Sequence, residues 1–496
     1  MAQPLAPLPA NEFGYEEAAH LLRRAGFGGT PSQIVALSDM GLDDAVDHLV
    51  VWERVADPAS PADGYSSDIM QPLAPADRQR VQRARRQGDE ATLEIFRNAR
   101  QERQRADRRQ MREIQAWWLE RLIETARPLQ EKMTLFWHGH FATGYRSVED
   151  SWHMLLQNEF FRRHAGGNFK DDLVHGIIRD PAMIKYLNNN QNTREAPNEN
   201  LARELMELFT LGEGNGYTEN DIKEGARALT GMTYRDDQFA FNQRNFDSSG
   251  KRLFGRSGQF DADDFVELIF QRPSAAWFTP WKLHRFFVDD SMRTDGDIKR
   301  AVDRMSRTFR RSNWEIRPVL RELFRSAWFY APENRRTLIK SPVQLAVEAI
   351  RSFGTPARSI GRINQACGVM GQELFQPPSV KGWEGGRKWI NTSTLFVREN
   401  LLVYLLTGRD PAAKAWESGE TVWSAEPLIA HLRSLPGRDE AADIVMYLSR
   451  LTLGEPPTDG RVEQWTSLLR GRDTIDNTAL VHLLSLMTAS PEYQLS

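Results

Sequence analysis

The chain has 496 residues, about three times a typical domain length, with 26% charged and 40% hydrophobic residues, the balance of a globular protein rather than of a fibre or a disordered chain. Lys and Arg total 64 against 67 Asp and Glu, a formal net charge of −3, which argues against a general nucleic-acid coat or a polybasic membrane binder. One cysteine, Cys367, excludes an intramolecular disulfide, a thiolate zinc site and an iron–sulfur cluster.

Residues 1–9 lack a basic n-region and an apolar h-region, and no later stretch approaches the roughly 18 apolar residues of a membrane span. The sequence as given therefore reads as cytoplasmic, or as periplasmic or secreted if a leader has been trimmed. Residues 1–56 predict short helices, one over 15–25 that stops at Gly26, one capped by Thr30-Pro31, and one after Gly41. The Pro-, Ser-, Ala- and Asp-rich stretch 57–77 reads as a linker. Between 78 and 112 there are 12 Arg against five acids, a net +7 that leaves −10 on the remainder. Ile114, Trp117, Trp118, Leu119 and Leu122 follow at helical spacing, so 78–127 reads as one long Arg-rich helix, exposed in its first half and buried in its second. Residues 128–400 predict a helical core with Gly or Pro near most boundaries. Within it, 234–258 alternates aromatic and polar residues around a Ser248-Ser249-Gly250 turn, a hairpin signal. Residues 401–496 read as a C-terminal helical subdomain. The fold class is mainly α, a large multi-helix assembly with a small β-hairpin insertion.

Five of the ten histidines, His138, His140, His153, His164 and His175, fall within 38 consecutive positions. In Trp137-His138-Gly139-His140 the H-x-H spacing puts both imidazoles on one side if the segment is extended, and spreads them if it is helical. Chelation, acid–base work and ordinary hydrogen bonding are all compatible with it. With no E-x-x-H partner and no compact ligand triad, the expectation is a protein free of metal and cofactor.

At about 100° per residue, Glu199, Asn200, Arg203, Glu204 and Glu207 share one arc of a helix, and Leu201, Ala202, Leu205, Met206, Leu208 and Phe209 the other. A solvated, ion-paired face explains the pattern. A carboxylate row beside the amide-dense Asn188-Asn189-Asn190-Gln191-Asn192 also suits sugar hydroxyls and acid–base chemistry. The loop 376–394 carries Lys381, Trp383, Arg387, Lys388, Trp389 and Asn391 among several glycines, either a rigid plug or a platform for a sugar or an anion. No Walker loop, G-x-S-x-G or G-x-G-x-x-G is present, which disfavours nucleotide and lipase-type serine chemistry.

Ala18-Ala19-His20-Leu21-Leu22-Arg23-Arg24-Ala25-Gly26-Phe27-Gly28, Lys132-Met133-Thr134-Leu135-Phe136-Trp137-His138-Gly139-His140-Phe141, the run 198–212, and Val380-Lys381-Gly382-Trp383 with Trp389-Ile390-Asn391-Thr392 together resemble the domain of unknown function 1800 family. The resemblance covers nearly the whole chain and implies a predominantly helical fold without an established activity. It also implies extracellular polymer metabolism, because members often look secreted and occur beside a second uncharacterised family of sulfatase-like appearance. The chain departs from the pattern in showing no leader and in reading Asn245-Phe246-Asp247 where a His-Asp pair is expected.

The expected site gathers these motifs into one pocket: His138, His140, Glu199, Glu204 and Glu207 as catalytic groups, with Arg23, Arg203, Lys381, Trp383 and Asn391 binding substrate. Groups of this kind are costly to bury unless they meet and pair. The expected function is a hydrolase or lyase using Glu/His acid–base chemistry on a polar, carbohydrate-containing or anionic substrate, without nucleic acid or membrane span. The alternative is a non-catalytic binding or assembly protein of an export or extracellular-polymer system. Oligomeric state is not encoded in any of these signals.

Overall fold

In the computed structural model, which describes residues 5–59, 62–294, 296–409, 423–433, 440–454, 459–470 and 475–496, 64% of the described residues are helical and the only sheets among them are two antiparallel hairpins. The fold is mainly α, as the periodicities require. Parts of the expected 401–496 subdomain lie outside the described residues. No helix among the described residues is long and apolar enough to cross a membrane.

Local chemistry sets most boundaries. Thr30 accepts the Gln33 amide and Gln33 answers in a capping box at the start of Pro31–Asp39, while Asp150 caps Ser151–Arg163 by accepting from the amides of Trp152 and His153. The Arg-rich segment departs from the single helix expected. Helix Pro75–Gln87 ends at Gly88 in the left-handed region, φ 66°, and a second helix, Glu90–Glu124, begins under the Asp89 cap. The two pack as a hairpin, because a glycine free to take positive φ reverses the chain where an Arg-rich pattern alone predicts continuation. The longer arm has 35 residues, about 52 Å. Its exposed half carries four of its eight arginines, and from Asp107 onward it is buried through Met111, Ile114, Trp118 and Leu122.

The stretch expected as a linker is tied down rather than free. Asp57 accepts from Arg121 Nη2 at 2.6 Å, Thr125 Oγ1 at 3.0 Å and the Ala126 amide at 3.2 Å. Helix Pro128–His140 then runs through the centre with all but two of its residues buried, packed on Ser151–Arg163. Between them Glu131, fully buried, receives Arg121 at 2.7 Å, Arg162 at 2.5 Å and Trp118 Nε1 at 3.1 Å. The two guanidiniums hold the Glu131 carboxyl below its ordinary range against the opposing effect of burial.

The β insertion is two hairpins rather than one. Met232–Arg235 pairs with Gln238–Phe241 and Lys251–Leu253 with Arg256–Gly258. Each closes on two residues of positive φ, Asp236-Asp237 and Phe254-Gly255, the mirror-image turn geometry that suits strand twist. The expected Ser248-Ser249-Gly250 turn lies between the hairpins. A single hydrophobic cluster extends from Leu5 to Tyr493, and the C-terminal residues close against the middle of the chain, with the Lys340 amide donating to Gln494 O at 2.8 Å and Ser496 N to Leu338 O at 2.8 Å.

Candidate functional site

His138 and His140 are both buried on a helix, so their rings diverge. The rings of Trp118, Phe375 and Trp383 lie 5.4–5.5 Å from His138, and neither of its nitrogens has a hydrogen-bond partner among the described residues. Burial alone pushes it down to about 3, leaving a neutral imidazole throughout the physiological range. His140 donates from Nε2 to the carbonyl of Phe209 at 2.9 Å and is likewise depressed, by burial and then by Lys282. The Glu/His pairing expected from sequence is not formed. What His140 does is fix the neighbouring segment, Leu205–Thr210, whose π-helical winding begins where helix Asn200–Glu204 ends. Such windings recur at functional sites.

The loop at Lys381 lies on the same central helix. Trp383 stands 3.5 Å from the position a Gly139 side chain would occupy, and at Gly382, φ 80°, a Cβ would overlap the Gly139 carbonyl. Two glycines thus let two backbones touch. The contact delivers Lys381 to the outer face of the glutamate segment, where its ammonium lies 3.8 Å from Glu213 and draws on the Glu204 carboxylate. Glu204 is half-buried, and its carboxyl is raised by burial and by Glu207, against the opposing pull of Arg203 and Lys381. Tyr186, raised by burial and by Glu204, completes the patch. Three motifs therefore meet: the histidine helix behind, the glutamate segment in the middle, the lysine loop in front.

The family described as "Protein of unknown function (DUF1800)" matches residues 20–495. The chain belongs to this family. No curated protein and no solved structure matches it.

Other motif residues of this DUF1800 chain lie elsewhere or do other work. Arg203 gathers Glu199 at 3.0 Å, Glu207 at 3.2 Å and Glu219 at 2.9 Å in a partly exposed network, a brace worth about 1 kcal/mol or less rather than the several of a buried pair. Arg23 is buried away from the patch, donating to Leu451 O at 2.6 Å and standing 3.6 Å from Glu348. Glu348 also meets Lys340 at 2.8 Å. Asn391 is an N-cap, its Oδ1 accepting the Thr394 amide at 2.9 Å. The amide loop is internal bracing: Asn189 donates to Leu229 O and Met232 O, and Asn192 to Ala226 O. Asn189 and Asn192 are thus satisfied within the chain, whereas Asn190 Oδ1 is buried without a partner among the described residues. Asp247, in the segment that departs from the family pattern, pairs with Arg227 at 2.7 Å.

A second constellation escaped the sequence reading. Asp150, His153 and Asp237 bring ligand-type atoms within 4.8 Å of one another. Burial, together with Asp107 and Asp237, raises the Asp150 carboxyl against the pull of His153. Asp150-x-x-His153 was a visible signal, but Asp237 arrives from the first hairpin turn, 84 positions away from His153. An open groove of about 1090 Å³ between Thr218, Glu224, Lys251 and Arg272 holds none of the expected residues, and its carboxylates are engaged, Asp221 by accepting from Thr218 and Glu224 by Arg227.

Proposed function

We propose that this DUF1800 protein is a hydrolase or lyase for a polar, anionic, carbohydrate-containing substrate, with Glu204 as the proton-transferring carboxyl and Lys381 holding substrate charge. The observation that supports this reading is Glu204 itself, a carboxyl raised by burial and by Glu207 beside an exposed lysine at the meeting point of three motifs. A raised carboxyl keeps its proton closer to neutral pH and can lend it to a leaving group. His138 is neutral and enclosed among rings, and His140 holds the Phe209 carbonyl instead of moving protons. Glu199, Arg203 and Glu207 brace the segment that carries Glu204.

The second reading is recognition without chemistry, and it is favoured by the exposure of Lys381, whose side chain is 61% accessible. One experiment separates the two: uronate-containing and sulfated oligosaccharides are assayed for binding by calorimetry and for bond cleavage by mass spectrometry. Cleavage is expected, with Glu204→Gln lowering kcat by roughly 10²–10⁴-fold while binding persists and Lys381→Ala acting mainly on binding. Binding without any cleavage by the unmodified protein selects the second reading, and cleavage indifferent to Glu204→Gln removes Glu204 from the mechanism.

A further inference from the structure

His153 is 4% exposed and held at both ends by aspartates that come from different elements. Its Nε2 donates to Asp237 Oδ1 at 2.8 Å, while the other oxygen of Asp237 is taken by Gln71 Nε2 at 2.6 Å. With the proton on Nε2, Nδ1 presents a lone pair. That lone pair faces Asp150 Oδ2 at 3.6 Å, too far for a hydrogen bond and close to the roughly 3.3 Å that separates neighbouring ligands of a tetrahedral ion with bonds of about 2 Å. An imidazole whose outer N–H is fixed by a carboxylate and whose inner nitrogen looks at a second carboxylate is the arrangement by which proteins orient a ligating histidine.

We propose that Asp150 and His153 ligate a divalent first-row transition ion such as zinc, with Asp237 holding the ring in the ligating tautomer. The local charge supports it independently. Two buried carboxylates of this interior each meet two cations, Glu131 with Arg121 and Arg162 and Glu348 with Arg23 and Lys340, while Asp107 and Asp180 are held by hydrogen bonds. Asp150 and Asp237, by contrast, have among the described residues no ion-pair partner except His153. Two carboxylates around one imidazole leave a negative excess that a divalent cation neutralises. The side chains of Asp150 and Asp237 are 16% and 19% accessible, so an ion can enter and keep water or a substrate group in its remaining positions. Nitrogen with carboxylate oxygen suits zinc, manganese or ferrous iron. The comparable set Asp171, His175 and Glu267 serves as an internal control, because Lys170 already pairs with Asp171 at 3.2 Å and with Glu267 at 2.9 Å.

The test is calorimetric titration of the chelator-treated full chain with zinc chloride, alongside cobalt(II) absorption spectra. One saturable equivalent is expected in the unmodified chain and in His175→Gln, lost in Asp150→Asn and His153→Gln, and weakened roughly 10- to 100-fold in Asp237→Asn, which keeps a hydrogen bond to the ring and preserves its packing. If His153→Gln fails to fold, Asp237→Asn and the cobalt spectrum of the unmodified chain carry the test. No saturable binding, binding unchanged in Asp150→Asn and Asp237→Asn, or binding lost in His175→Gln overturns the proposal.

Discussion

Asp180 shows how burial sets a single residue's chemistry. Fully enclosed, it accepts from Gln157 Nε2 at 2.7 Å and from the Met183 amide at 2.8 Å as the cap of Pro181–Tyr186. Burial still pushes its carboxyl up to about 6, against those hydrogen bonds and the pull of His153. The sign follows: a carboxyl raised on folding favours the native state below its unfolded value near 4, and that contribution is lost as pH rises through about 6. Above pH 7 the ionised group costs about 3 kcal/mol, so Asp180→Asn, which keeps an oxygen for the cap, is expected to raise the unfolding midpoint at pH 8 and to change it little at pH 4.5. The comparison is a thermal series in chelator across that range. An offset that does not vary with pH would place the cause somewhere other than the Asp180 charge.

Elements in this molecule are joined where backbones touch, and the Gly139–Gly382 contact is the clearest case. Any side chain at Gly382 meets both a carbonyl and an unfavourable positive φ. Gly382→Ala is therefore expected to lift the Lys381–Trp383 loop from the central helix, costing about 3 kcal/mol or more and exposing Trp383. Denaturant midpoints and tryptophan emission measure both effects. An unchanged midpoint with unshifted emission would show that the loop is not seated by this contact. At this scale the sequence was a good guide wherever the signal is local. The Thr30 cap, the apolar stripe at 114–122 and the 199/203/207 ion-paired line are all spelled within a turn or two of chain. The reading failed where one residue overrides a pattern, as Gly88 does in the arginine run. It also failed where meaning depends on a distant neighbour: His138 and His140 look reactive in sequence and are kept neutral by burial among rings from distant segments.

For the whole molecule, the charged residues inside the core are its long-range ties. Arg398, fully buried, gives Nε to Gln494 Oε1 at 2.7 Å and Nη2 to Lys340 O at 2.6 Å, while the Lys340 ammonium sits 3.8 Å over the Tyr493 ring. Deleting residues 489–496 removes Gln494 and Tyr493, takes the partner from Arg398 Nε and opens the Lys340–Glu348 pair to solvent, a loss on the order of 5 kcal/mol. The expected result is a marked drop in the denaturant midpoint of the shortened chain, and a midpoint equal to that of the full chain would mean that the tail is dispensable. None of this was legible in composition, where Arg23, Lys340 and Arg398 look like any other surface cation.

The Arg23 contact also has a consequence in time. Its carbonyl partner at Leu451 is made 428 positions later, which at translation rates of about 5–20 residues per second is roughly 20–90 s. For most of that interval the nascent chain carries a guanidinium whose place is the interior and whose partners are still to come, since its carboxylate neighbour Glu348 is also a distant residue. Local helices and both hairpins can form on the ribosome, but the core can close only once residues as late as Tyr493 have been made. Until then its apolar faces stay open to solvent and to holding chaperones.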